Sequence, residues 1–364
     1  MDEISTSIEG ACGVIRLTRP KAINALSADM IGAVRYALDE WDENEDVRAV
    51  LIEGEGEKGL CAGGDVRRTR EMAMAGETRT VFSFFADEYD MNGLIATCRK
   101  PIVAFQHGVV MGGGIGISSH ARYRIATPTS RFAMPEGAIG FFCDVGVNAI
   151  LYKASEARAL AFPVLLTTAD QVLAFLLSGQ TVGAADAIAL GLTDTVVPED
   201  ALAGLRARVI EAAQAGDPDT AIAALIQSES VDAGQADFCG LADSLAPVFA
   251  ATNAEKIVEG LLDWSEDGDP GAAALHASIA RHCPTSLVAI VLSHRQARHK
   301  RDVRAILDDD LALARYMAMR PDFAEGVRAV LVDKDRAPQW APERLADVDT
   351  GALERVLGEA EAVG

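Results

Sequence analysis

The chain has 364 residues, 49% of them hydrophobic and 24% charged, and its 33 Lys and Arg face 54 Asp and Glu for a formal charge of −21. That length holds one large domain or two smaller ones, with a full core. A charge of this sign excludes binding nucleic acid or anionic lipid through bulk electrostatics, so an anionic ligand needs a local device of backbone amides or a few placed cations.

The N-terminus, MDEISTSIEG, has no basic stretch leading into an apolar one, and the longest apolar runs, such as 109–117, are too short or too Gly-rich to span a bilayer. The expectation is a cytoplasmic protein with no membrane and no nucleic-acid partner. Cysteines at 12, 61, 98, 143, 239 and 283 form neither a CxxC pair nor a zinc knuckle. His294 and His299, with no Cys or carboxylate pattern around them, read as surface histidines on a basic helix, so no metal is expected.

Residues 13–17 (GVIRL) open the chain as a strand, which Arg19-Pro20 breaks. A helix follows, with Leu26, Met30, Ile31, Val34, Leu38 and Trp41 on one face, Ser27 as its N-cap and Asp29 in its first turn. Strands are predicted at 48–53, 101–105 and 122–126, the last two separated by a Gly-rich run at 111–116. Alternating strands and helices indicate an α/β unit with parallel pairing over 1–198. From 199 to 364 the pattern turns Ala-, Leu-, Glu- and Arg-rich with helical spacing, and 264–271 (WSEDGDPG) reads as a loop between helices. A later helix from Pro284 carries Leu287, Ile290, Val291 and His294 on one face.

Three stretches could carry chemistry. In LCAGGDV (60–66), two glycines before Asp65 either hold a tight turn capped by that residue or leave backbone N–H groups open to a ligand. In MGGGIG (111–116), three glycines opening a helix suit close packing, a phosphate cradle or an oxyanion hole. The run lacks the Lys-Ser/Thr of a P-loop and does not fit GxGxxG. In FAMPEGAIGFFCDVG (132–146), Glu136 and Asp144 lie in an otherwise apolar segment. They either cap a turn and a helix or are desolvated carboxyls with pKa values raised towards those useful in proton transfer.

Taken together with RPKAINAL (19–26) and GVVMGGGIGIS (108–118), these stretches resemble the enoyl-CoA hydratase/isomerase (crotonase) superfamily, and specifically its 3-hydroxyisobutyryl-CoA hydrolase branch. CPTSL (283–287) and the run 321–342 are similar to that branch's tail. The resemblance implies a crotonase-like ββα spiral followed by a helical C-terminal region. It implies hydrolysis of a short branched acyl-CoA in valine breakdown, with coenzyme A as part of the substrate and no further cofactor. By position in the motifs, the N–H groups of Gly64 and Gly113 would polarise the thioester carbonyl. Glu136 would be the nucleophile or general base, and Asp144 would position the substrate hydroxyl or assist proton transfer. Lys21 would lie near the CoA phosphates and the Ala62 backbone near the adenine, with Arg67 and Arg68 as supplementary cations or plain surface residues.

Departures qualify that picture. Hydratases usually carry a second acid/base Glu where Gly116 stands and tend to have Gly where Asp144 stands, so the pair Glu136/Asp144 favours hydrolysis over hydration. The hydrolase branch typically has Pro at Cys143 and Gly at Val147, and 153–171 looks longer than usual beside the acyl pocket. Cys143 reads as an apolar filler rather than a nucleophile. The alternatives are a hydratase or isomerase using Glu136 alone, and a non-catalytic acyl-CoA-binding protein. The C-terminal helices would either build a homo-oligomer, a trimer or hexamer, or fold back over their own active site.

Overall fold

A computed structural model describes residues 3–153, 167–300 and 302–363. Strands β1 (Ile4–Glu9) and β2 (Cys12–Leu17) form an antiparallel hairpin, and helix α1 (Ala28–Glu43) follows, with Ser27 accepting from Met30 N as its N-cap. Strand β3 (Ala49–Gly54) leads to helices α2 (Val66–Met74) and α3 (Thr78–Thr97). Strands β4 (Ile102–Gln106) and β5 (Val109–Met111) precede helix α4 (Gly113–Ser119), and β6 (Tyr123–Ala126) and β7 (Arg131–Ala133) precede a 3-10 turn at Glu136–Ile139 and helix α5 (Val147–Lys153). The last strand, β8 (Thr195–Val196), is short.

The main sheet has the order β1-β2-β3-β4-β6-β8, parallel after the first pair. Each turn of the chain gives one strand to this sheet and a second to a small parallel sheet of β5 and β7, which Cys61 extends by bridging to Val110, before a helical segment closes the turn. This is the expected ββα spiral. The strand residues alternate as a period of two demands. Ile15, Val50, Ile52 and Ala104 face one core, shared with α1 and α3, while Val14, Leu51, Val103 and Ile125 face another against Leu205, Val209, Ile222 and Ile226.

Helices run from Leu202 to the C-terminal end, and two expectations there need correction. The 264–271 loop shrinks to 267–269, because one helix continues to Glu266 and the next starts at Pro270 with Asp269 as its N-cap. Proline is well tolerated in that first position. His294 is not a surface residue: it is buried, with its ring 3.0 Å from the Tyr152 hydroxyl, on the face it shares with Leu287, Ile290 and Val291. His299 is exposed as expected.

Candidate active site

Strand β5 ends at Met111, and the chain turns into α4 through Gly112, which has φ 50°. That conformation favours glycine, and so does the space: a Cβ at Gly112 would stand 2.6 Å from Glu136 Oε1. A Cβ at Gly113 would fall on Glu88 Oε1 and lie 3.1 Å from Gly64 N. The CAGGD turn and the GGG turn therefore meet, with two carboxyl groups pressed against their main chain. Among the described residues, no protein acceptor takes the N–H of Gly64 or of Gly113.

Three carboxyls reach this point from three parts of the chain. Glu88 comes from α3, Glu136 from the start of the 3-10 turn, and Asp144 from the loop before α5. All are buried, and all line one cavity of about 150 Å³ whose other walls include Phe84, Phe85, Ile139, Phe141 and Leu331. Phe141 stacks on Phe85 with centroids 5.1 Å apart and packs against Phe323 at 5.5 Å.

Burial sets the protonation states. It pushes the Glu136 and Glu88 carboxyls well above the usual carboxylate range, and the charge of nearby Asp144 pushes both the same way. Burial also raises Asp144, to about 7, against the pull of the Tyr89 hydroxyl, which donates to its Oδ2 at 2.6 Å. Cys143 is buried with Sγ 3.4 Å from the Leu176 carbonyl, and burial keeps the thiol protonated, as suits a filler.

A second, open cleft of about 770 Å³, lined by Arg19, Ala22, Arg67 and Arg68 among others, shares Ala62, Gly64, Val66 and Leu331 with the inner cavity. Ala62 thus stands where cleft and cavity join. Lys21 is exposed on the short turn Pro20–Ala22 beside the cleft. Arg19 is engaged by Glu3 and Asp65, and Arg67 donates to the Leu331 carbonyl at 2.7 Å. That bond, with Arg70 to Ala324 O at 2.6 Å, fastens the C-terminal segment over α2.

Gly116, the position of the second hydratase carboxylate, has no room for a side chain: a Cβ there would be 2.8 Å from Val145 Cβ and 3.0 Å from the Asn92 amide. Of the extended 153–171 segment, residues 154–166 lie outside the described residues. Glu88 and Tyr89 are the site residues that the motifs did not reveal. Their signal was present: Glu88 follows Val81, Phe84 and Phe85 at helical spacing, a carboxylate on the buried stripe of α3.

A family model described as "Enoyl-CoA hydratase/isomerase" matches residues 12–357. The chain is 35% identical to the mitochondrial 3-hydroxyisobutyryl-CoA hydrolase of Rattus norvegicus over 350 residues, covering 95% of this chain and 86% of that protein. It is 32% identical to the Homo sapiens enzyme of the same name over 352 residues, with the same shares. Among solved structures, a carnitinyl-CoA dehydratase from Mycobacterium thermoresistibile aligns with a TM-score of 0.85 and 29% identity over 98% of this chain and 96% of that one. An enoyl-CoA hydratase from Rhodobacter sphaeroides 2.4.1 aligns at 0.84 and 30%, covering 99% of both. These relatives correct the cytoplasmic expectation, since the curated hydrolases are mitochondrial proteins.

Proposed function

The chain belongs to the enoyl-CoA hydratase/isomerase family, and on that premise we propose that it hydrolyses 3-hydroxyisobutyryl-CoA to 3-hydroxyisobutyrate and CoA, the thioester cleavage of valine breakdown. The observation that carries the reading is the convergence of the Gly64 and Gly113 amides with Glu136 and Asp144 in one small cavity, in a chain about a third identical to curated hydrolases of that substrate.

The thioester carbonyl oxygen sits between the N–H groups of Gly64 and Gly113, whose bonds shorten as the oxygen becomes an oxyanion. Losing one such donor typically costs about 100- to 1000-fold in rate. Glu136, ionised, either takes a proton from the attacking water or attacks the carbonyl carbon itself to give an acyl anhydride that water then opens. In both routes the C–S bond breaks, the thiolate leaves and takes a proton, and one water is consumed. Tyr89 occupies one oxygen of Asp144, so the other is left to accept the substrate's 3-hydroxyl. The phenyl walls and Leu331 keep the cavity apolar and short. Coenzyme A lies along the open cleft, with Lys21 near its phosphates, Ala62 near its adenine and Arg68 as a further exposed cation. It enters as part of the substrate, and no other cofactor is needed.

A hydratase reading has one observation in its favour: Glu88 offers Glu136 a second carboxyl without using position 116. Paired assays separate the readings. Thiol release from 3-hydroxyisobutyryl-CoA without loss of enoyl absorbance from crotonyl-CoA supports hydrolysis. Enoyl loss without thiol release supports hydration, and binding without either reaction supports a non-catalytic acyl-CoA-binding protein.

A further inference from the structure

Directly after Asp144 the chain adopts a costly turn. Val145 has φ 56° and Gly146 φ 67°, two successive left-handed residues, the first of them β-branched. Such a backbone persists only where its surroundings over-determine it. The turn is closed by the Val147 N–H, which donates to the Asp144 carbonyl at 3.0 Å, and, besides the Tyr89 bond to Asp144, two side chains from elsewhere hold it. His120 Nε2 donates to the Val145 carbonyl at 2.8 Å, and the Gly146 N–H donates to Asp310 Oδ2 at 2.8 Å.

Asp310 comes from the far end of the sequence. It lies on the helix Val303–Met317, is 1% exposed, and its Oδ1 has no hydrogen-bond partner. Among the described residues no ion pair neutralises it. An unpaired buried carboxyl destabilises a fold, so a structural cap for one N–H is a poor account of it. The helix that carries Asp310 also packs along α3. Arg304 fills the space above Gly93, and Leu307 Cδ2 lies 3.0 Å from where a Gly146 Cβ would be. One C-terminal helix therefore touches both the helix bearing Tyr89 and the turn bearing Asp144.

We infer that Asp310 is a positioning residue for the hydrolysis, its carboxyl fixing the 144–146 turn so that Asp144 faces both the Tyr89 hydroxyl and the cavity. The inference rests on the hydrolase reading of Asp144. It makes the C-terminal helical region part of the active site rather than an appendage.

The test measures thiol release from 3-hydroxyisobutyryl-CoA by wild type, Asp310→Ala and Asp310→Asn, with hydrogen exchange of the peptide containing Gly146 followed on the same samples. Asparagine keeps an oxygen for the Gly146 N–H, and alanine does not. The expected result for Asp310→Ala is a kcat lower by about 10- to 100-fold, the worth of one buried hydrogen bond, with KM little changed and faster exchange at Gly146. Asp310→Asn restores both. An unchanged kcat in Asp310→Ala overturns the inference, and so does an equal loss in the two variants, which would assign the effect to charge. If Asp310→Ala does not fold, a kcat loss beyond about tenfold in Asp310→Asn overturns it alone. A wild type that releases no thiol overturns the hydrolase reading instead. The exchange data then decide the anchor: faster exchange in Asp310→Ala alone supports it, and equal protection in both variants overturns it.

Discussion

The Tyr89 hydroxyl donates to Asp144 Oδ2 at 2.6 Å, whereas Glu88 Oε1 and Glu136 Oε2, in the same cavity, have no hydrogen-bond partner. A donor favours the ionised form of a carboxyl, and burial without one favours the neutral acid. As pH rises, Asp144 is therefore the first of the three to ionise, with its pKa near 7, and its charge holds the other two protonated further up the scale. One hydroxyl thus divides three carboxyls of similar intrinsic acidity into two kinds.

The pH dependence of thiol release follows. On the proposed roles, with Asp144 ionised to accept the substrate hydroxyl and Glu136 ionised to act as base or nucleophile, kcat/KM rises with pH with its midpoint at or above about 7, rather than near 4. Asp144→Asn removes the charge that raises Glu136. Its residual activity has a midpoint at lower pH, and a midpoint that does not move contradicts the coupling.

Stability has the opposite sign. Carboxyls whose pKa values rise on folding contribute stability that is fully present below their unfolded range and lost as pH climbs through the folded value. The melting temperature falls as pH climbs from the unfolded carboxylate range near about 4 towards about 7, where only the folded chain keeps these protons, and the share owed to Asp144 ends at its folded value. Glu136→Gln flattens that fall, measured as the difference between variant and wild-type melting curves. A parallel pair of curves contradicts it.

Position 116 tests the absent hydratase carboxylate. A side chain there meets Val145 and Asn92, so Gly116→Glu destabilises the protein by about 1–3 kcal/mol through overpacking and brings no crotonyl-CoA hydration. A variant as stable as wild type that hydrates crotonyl-CoA would refute the packing argument.

Leu331, from the C-terminal region, lines the cavity proposed to take the acyl group. Leu331→Ala shifts the ratio of kcat/KM towards a longer 3-hydroxyacyl-CoA by about 10-fold, the worth of a methylene or so of apolar contact. An unchanged ratio across a chain-length series would place the selectivity elsewhere.

The legible parts of this molecule were those written in contiguous residues. The glycine turns at 63–64 and 112–113 and the Glu136/Asp144 pair announce themselves because main-chain chemistry needs glycine where it is approached closely, and because carboxylates are conspicuous in an apolar run. Their meeting in one cavity is a product of the spiral, which brings residues 64, 113 and 136 together from three successive turns. Glu88 and Tyr89 sit in a helix whose amphipathic pattern is ordinary, and only the buried stripe betrayed them. Asp310 gave no local signal, since the role proposed for it depends on a backbone N–H more than 160 residues away. His294 was misread from its basic neighbours although its spacing with Leu287, Ile290 and Val291 already pointed inward.

The most direct measurement is thiol release from 3-hydroxyisobutyryl-CoA by wild type and Glu136→Gln under identical conditions, with folding of the variant checked by its melting curve. Wild-type turnover that falls by about 100- to 10,000-fold in a fully folded variant is the predicted result for loss of a general base or nucleophile. A folded Glu136→Gln that releases thiol as fast as wild type would contradict the account.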